Sequence, residues 1–176
     1  IPSDDKRAAV VKAAVAGGLN TVKSSSMGRL FDAVSAALGL ADYNTYQGRC
    51  AMLLENQAAL AKRERKIPTE LSFNEEVVET ENGNVTFFDP APLWEKVTGE
   101  DKAAAALGFH EAVIRIVERM SEKTGVETVI LSGGCFANRL LLEGCVEALK
   151  GKGHAVYWNQ ALPPGDGGLA FGQAWY

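Results

Sequence analysis

Cysteine, histidine and one-sided charge are all scarce in this chain of 176 residues, and each shortage removes a class of function. The three cysteines, Cys50, Cys135 and Cys145, form no C-x-x-C pair and leave one thiol over. Neither a disulfide framework nor a structural zinc site is therefore expected, and the compartment is expected to be reducing and cytoplasmic. The two histidines, His110 and His154, lie far apart and match no metal-ligand spacing. A net charge of −4, with acids and bases interleaved, offers no long-range attraction to nucleic acid or anionic lipid. No apolar run reaches the roughly 20 residues of a membrane helix, and no signal-peptide pattern opens the chain. No nucleic-acid or membrane partner is expected. What remains is 47% hydrophobic and 23% charged, the balance of one ordinary globular unit able to close a core. The chain opens on Ile1 rather than Met, as expected of a fragment of a longer protein.

The pattern along the chain is helix-rich α/β. Asp4 to Leu19 is alanine-rich with an acidic start and ends at Gly17-Gly18, which predicts a helix and a turn. In SSSMGRLFDAVSAALGL, the residues Leu30, Phe31, Val34 and Leu38 recur at helical spacing. Serines near residue 25 offer the N-cap and Gly39 the C-cap, with Asp32 just off the stripe. A third helix is predicted over Gln47 to Arg65. The period then changes: Glu76 to Thr80 and Val85 to Phe88 predict a hairpin around Glu81-Asn82-Gly83-Asn84. A short helix follows from Leu93 and a longer one over Lys102 to Lys123, with Leu107, His110, Ile114 and Val117 as its core stripe. The remainder predicts strand (Thr128 to Leu131), glycine turn, helix (Phe136 to Leu149), strand (Ala155 to Trp158), glycine turn and helix from Leu169. Three parts are expected: 1–70 helical, 71–92 hairpin and 93–176 helix plus βαβα unit. In a parallel sheet, both glycine turns fall at the edge where open α/β sheets bind ligands.

Several residues at that edge carry two readings. Gly133-Gly134, between strand and helix, suits either a phosphate cradle at a helix N-terminus or a tight turn that needs glycine for φ alone. Asn138 suits a ligand contact or a backbone cap. Asp166, in the turn Pro163 to Gly168, suits a metal ligand or, on its turn context, an N-cap. Asp32 suits favourable placement in the helix dipole or acceptance of ribose hydroxyls. His110 reads as a satisfied core histidine. Cys135, with no histidine nearby in sequence, reads as a small apolar packing residue rather than a nucleophile.

The order of the motifs is more specific than any one of them. SSSMGRLFDAVSAALGL, YQGRCAMLLE, LGFH, VILSGGCFANRLLLE and LPPGDGGLAFGQA, spread from about Asn20 to the end, together resemble the C-terminal carbamoyltransferase domain of the HypF hydrogenase-maturation family. The resemblance implies the C-terminal lobe of an ASKHA, actin-like nucleotide-binding fold with the adenylate held between two lobes. It implies Gly28 and Asp32 as ribose contacts and Gly48 as a neighbouring nucleotide contact. Gly133, Gly134 and Asn138 become the phosphate and adenosine side, and Asp166 the one retained ligand of a divalent metal (iron, zinc or magnesium) shared with an absent upstream lobe. The implied chemistry moves a carbamoyl group from carbamoyl adenylate, made from ATP and carbamoyl phosphate, to the C-terminal cysteine of a HypE-type partner. The family's upstream domains are missing, so the chain alone is expected to be inactive.

Three residues depart from the family pattern: Ala137 stands where glutamine is usual, Cys135 where valine is usual, and Arg49 where a shorter polar residue is usual. The related transferases that make threonylcarbamoyladenosine in tRNA share the GRLFD-like helix, but carry two aspartates where this chain has Ser24 and Ser25, and Asp-Asn where it has Asp166-Gly167. Both differences favour the HypF resemblance. A catalytically inert binding module and a sugar kinase of the same superfamily are the other readings.

Overall fold

A computed structural model describes residues 6–99 and 101–175. The elements in chain order are α1 (Lys6–Ala16), α2 (Met27–Ala37), α3 (Arg49–Arg63), β1 (Asn74–Thr80), β2 (Gly83–Asp89), α4 (Leu93–Lys96), α5 (Lys102–Thr124), β3 (Thr128–Leu131), α6 (Arg139–Gly151), β4 (Ala155–Trp158) and α7 (Leu169–Trp175). Two 3₁₀ turns, Gly134–Ala137 and Asp166–Gly168, precede α6 and α7. Among the described residues, no helix is long and apolar enough to cross a membrane.

Local signals explain most boundaries. The Ser26 hydroxyl accepts from the Arg29 N–H to start α2, and Gly39 at φ 62° follows its end in the left-handed region that glycine enters without cost. On α5, the Asp101 carboxylate accepts from the Ala103 and Ala104 amides, while Gly125 at φ 63° stops the helix. The acidic start expected at Asp4 lies outside the described residues. The hairpin strands pair antiparallel and run two residues and three residues longer than their apolar runs, closing Thr80 against Gly83, which takes φ 105°.

Helices α2, α3, α5 and α6 enclose one core, in which Phe31, Leu54, Phe109, Leu141 and Leu149 are buried. The stripe expected on α5 is met in part: His110 is buried and Leu107, Ile114 and Val117 pack partly buried against the core. The buried face is wider than that stripe and includes Ala103 to Ala106, Phe109, Ala112, Val113 and Ile116. The alanines look unremarkable by hydrophobic period, yet their small size brings the 66–73 loop onto the helix. There the Thr69 N–H donates to the Ala104 carbonyl at 3.0 Å. Gly108 lies beneath that crossing, where any Cβ would be driven into the Thr69 carbonyl oxygen.

Strands β3 and β4 pair in parallel, with Val129 opposite Val156. Their connection through α6 places the segments that follow both strands at one edge, where the Gly133 N–H donates to the Pro164 carbonyl at 2.8 Å. The helix between them starts later than its apolar pattern. Gly134–Ala137 is a 3₁₀ turn, and α6 begins only at Arg139. The glycine pair is therefore one turn removed from the α6 N-terminus.

Phe31, Phe109 and His110 meet edge to face, with ring centroids 4.9 and 5.3 Å apart for Phe31–Phe109 and Phe31–His110. Burial holds the His110 imidazole below its ordinary pKa of 6.5, only partly offset by a bond to the Ala106 carbonyl. The unfolded chain thus binds this proton more readily than the folded one.

Two outcomes follow from this packing. Gly108→Ala should cost about 2–3 kcal/mol in urea unfolding, whereas Gly172→Ala, with open space at its Cβ position, should be near neutral. Stability should also fall as pH drops from 6.5 toward the lower folded value of His110. Glu75, Asp101, Glu122 and Glu143, whose pKa values are also lowered, lose their contribution mainly from about pH 5 downward, as the unfolded carboxylates take up protons. The slope between pH 6.5 and 5 should flatten in His110→Phe, as measured by urea midpoints at each pH.

Candidate functional site

The two glycine-bearing motifs that the sequence separates by a hundred residues meet in space. Gly28 is the second residue of α2, and the Sγ of Cys135 lies 3.9 Å from the position a Cβ on Gly28 would take. Among the described residues, the Met27 and Gly28 amides donate to no protein acceptor, and the first turn of α2 carries no acidic side chain. That helix end keeps its partial positive charge. One turn on, Asp32 is half-buried and off the core stripe. Its charge reaches Cys50, whose thiol is pushed up first by burial and then by Asp32. Asp32 therefore lies near the start of α3, where Gly48 takes φ 77° at the N-cap.

The turn after β3 supplies the opposite side. Gly133 takes φ 99°, so its glycine is required by conformation. Gly134 is different: its φ is not in the left-handed region and a Cβ there would meet nothing within 4 Å. The chain's own packing gives no reason for glycine at that position. The amides of Gly134 and Cys135 donate to no acceptor among the described residues, and the Cys135 side chain reaches the start of α2 at Gly28. Two neighbouring elements thus each carry two backbone donors without a protein acceptor, and such donors suit an anion.

The loop after β4 closes the edge. A Cβ on Gly165 would come 3.4 Å from the Gly134 Cα, and one on Gly168 would come 2.7 Å from the Pro163 carbonyl oxygen. The N-cap reading of Asp166 is not met. Gly165 occupies the cap position, no side chain caps the turn, and the Asp166 carboxylate is exposed at its first residue. Among the described residues no three His, Cys, Asp or Glu side chains cluster to hold a metal. A single exposed carboxylate is not a metal site by itself, and these residues do not fit a bound ion without further donors.

Asn138 is the most constrained of the candidates. Its Oδ1 accepts from the Leu141 N–H at 2.9 Å, capping α6, and its Nδ2 lies 2.8 Å from His110 Nε2. With 9% exposure, most of the side chain faces inward. The capping alternative is realised, and the histidine bond joins α6 to α5. Glu55 was not singled out by sequence reasoning, yet its carboxylate accepts from the Arg139 N–H at 2.8 Å. Its partner lies 84 residues away, so no local spacing could have signalled it. Glu55 and Asn138 together take the Arg139 and Leu141 amides of the α6 N-terminus.

The three unusual residues also have places. Arg49 donates through Nη1 to the Tyr43 carbonyl at 3.1 Å, and Ala137 is exposed. The Cys135 thiol is pushed up by burial, which disfavours the thiolate. Cys145, deeper in the core, is pushed up to about 12.

A family profile described as "Carbamoyltransferase, Kae1-like Domain, second subdomain" matches residues 1–173. The carbamoyltransferase HypF of Synechocystis sp. is 34% identical over 153 residues, covering 85% of this chain and 19% of its own length. HypF2 of Cupriavidus necator is 33% identical, covering 96% of the chain and 24% of the relative. A HypF homolog from the same organism is 31% identical, covering 97% of the chain and 45% of the relative. Among solved structures, full-length HypF in its phosphate- and nucleotide-bound form superposes with a TM-score of 0.78 at 31% identity, over 98% of this chain and 23% of that one. T. kodakarensis HypF gives 0.73 at 28% identity, over 96% and 21%. The chain spans about a fifth to a quarter of most of these relatives. It belongs to the HypF carbamoyltransferase family, within which it matches the second subdomain of the Kae1-like domain.

Proposed function

We propose that this chain forms one lobe of a nucleotide-binding cleft within a larger ATP-dependent carbamoyltransferase, in an ASKHA-type arrangement whose other lobe is supplied by residues outside the chain. In this reading the phosphate of an adenylate sits against the amides of Gly28, Gly134 and Cys135, the ribose against Asp32, and Gly48 and Gly133 border the same surface. Asn138 fixes the phosphate turn. The observation that carries the reading is Gly134: neither its φ nor its packing calls for glycine, and the open space at its Cβ position lets a ligand come close to an amide without a protein acceptor. The relative solved in a phosphate- and nucleotide-bound form supports the ligand class.

The reaction proposed is transfer of the carbamoyl group from carbamoyl adenylate, formed from ATP and carbamoyl phosphate, to the C-terminal cysteine of a HypE-type partner. The partner's thiolate sulfur attacks the carbamoyl carbon, a C–S bond forms, and the C–O bond to the adenylate phosphate breaks. AMP leaves with the electron pair. Negative charge grows on the phosphate as that bond breaks, so backbone donors already aimed at it stabilise the transition state more than the bound substrate. This is the contribution the chain's own residues make. Asp166 offers one oxygen toward a divalent metal completed from outside the chain, and the transfer as written does not depend on it. With the thiol acceptor's site and the second lobe elsewhere, the isolated chain should show no transfer. The setting proposed is the cytoplasm, where such thiols stay reduced.

Amide chemical shifts followed while AMP or ATP is added provide the test. Shifts are expected to cluster at Gly28, Asp32, Gly133, Gly134 and Cys135, with weak affinity. Gly134→Ala should keep its thermal stability within about 0.5–1 kcal/mol yet lose AMP binding at least about tenfold, whereas Gly133→Ala should cost about 1–2 kcal/mol of stability because of its positive φ. Full AMP binding by Gly134→Ala, or shifts gathered on the β1–β2 hairpin, would count against the reading.

A further inference from the structure

The His110 imidazole is 1% exposed and has both ring nitrogens bonded inside the lobe. Nδ1 lies 2.8 Å from the Ala106 carbonyl oxygen and Nε2 lies 2.8 Å from Asn138 Nδ2. A carbonyl only accepts, so Nδ1 carries the proton and Nε2 is left with a lone pair. Asn138 must then donate through Nδ2, which directs its Oδ1 at the Leu141 N–H, as observed. Each bond determines the polarity of the next. Among the described residues, the aromatic and hydrogen-bonding partners of the ring are Phe31 of α2, Phe109 and the Ala106 carbonyl of α5, and Asn138 at the start of α6, none of which titrates. No charged side chain contributes to holding its proton affinity down.

This ordered relay ends at the residue that closes the 3₁₀ turn. The Asn138 N–H donates to the Cys135 carbonyl, so the backbone carrying the free Gly134 and Cys135 amides is tied at its far end to Asn138. We infer that His110 is a positioning residue for the nucleotide: through Asn138 it holds the 133–138 turn in the shape that presents its amides to the phosphate. It touches neither ligand nor reacting atoms. Rotating the Asn138 amide would aim its NH₂ at the Leu141 N–H, and placing a proton on Nε2 would aim that proton at the Asn138 NH₂. Either change sets a donor against a donor, so the turn is held only by the neutral Nδ1–H tautomer. The inference rests on the nucleotide reading of the turn given above and adds the group that shapes it.

The test combines ring-nitrogen spectroscopy with a double-mutant cycle on the whole chain. Long-range ¹H–¹⁵N spectra of the histidine rings at neutral pH should show a bare Nε2 on His110, and a protonated Nε2 overturns the inference outright. His110→Phe keeps the aromatic packing and deletes the acceptor. Its AMP affinity should fall about tenfold or more, while His110→Gln, whose amide oxygen can accept from Asn138, should recover to within about threefold of wild type. A purely structural role would not be rescued in this way. Asn138→Ser keeps a capping oxygen for the Leu141 N–H and removes the amide donor, so it cuts the same bond from the other side should His110→Phe fail to fold. The double variant should be no weaker than the worse single one, and additive losses would overturn the inference. If wild type binds no AMP, the nucleotide reading fails. The positioning claim is then judged without ligand: amide hydrogen exchange over Gly134 to Asn138 should be about tenfold faster in whichever variant folds, and unchanged exchange overturns it.

Discussion

A buried imidazole with two nitrogens to satisfy and no charged group to pair with sets the arrangement of this lobe. His110 sits among Phe31 and Phe109, where an unbonded ring nitrogen would cost roughly 1–3 kcal/mol, and the two acceptor and donor partners it finds are on different helices. One bond stays within α5. The other reaches the N-cap of α6 and fixes which way the Asn138 amide faces. Because that amide also caps α6, the position of the whole helix is referred to one ring, and the turn between β3 and α6 is set by the same contact. Gly108, two residues earlier, lets the Thr69 segment close over the opposite side of α5. The long helix is therefore pinned on both sides within one turn.

This division of roles bears on the proposed phosphate site. Two amides at the N-terminus of α6 are taken by side chains, Arg139 by Glu55 and Leu141 by Asn138. The Glu55 carboxylate also answers part of the positive end of that helix. Amides without protein acceptors among the described residues also lie on the 3₁₀ turn and at the start of α2, two elements joined by the Gly28–Cys135 contact. Recognition by backbone alone suits a phosphate, whose oxygens accept in any direction, and requires that the backbone be held rigidly from behind. The core supplies that rigidity. Side chains for acid–base work or metal binding are sparse on this surface, in keeping with relatives four to five times longer that have room for them elsewhere.

Features whose cause is local could be read from the sequence. Gly39 and Gly125 mark helix ends by their left-handed φ, β3 and β4 occupy the two β-branched and aromatic runs they were expected to, and the motif order identified the family. Features that depend on distant partners could not. The full width of the buried α5 face is not legible because alanine scores weakly as a core residue, although here its small size is what admits the Thr69 crossing. The start of α6 was placed too early because Phe136 and Ala137 fit a helical period, while the chain needs a tighter turn to bring Gly133 against Pro164. Asp166 looked like a cap because acidic residues before helices often are, yet Gly165 takes that place. Glu55 and the His110–Asn138 bond join residues 84 and 28 positions apart. Their roles exist only after folding.

A structure of the chain with AMP bound would test the central claim most directly, namely that the turn after β3 and the start of α2 form a preformed phosphate site. The expected result places the phosphate within hydrogen-bond reach of the Gly134 and Cys135 amides and the ribose beside Asp32, with the 133–138 turn and the His110–Asn138 bond unchanged from the free chain. AMP bound at another surface, or bound here only after that turn has rearranged and the bond has broken, would contradict it.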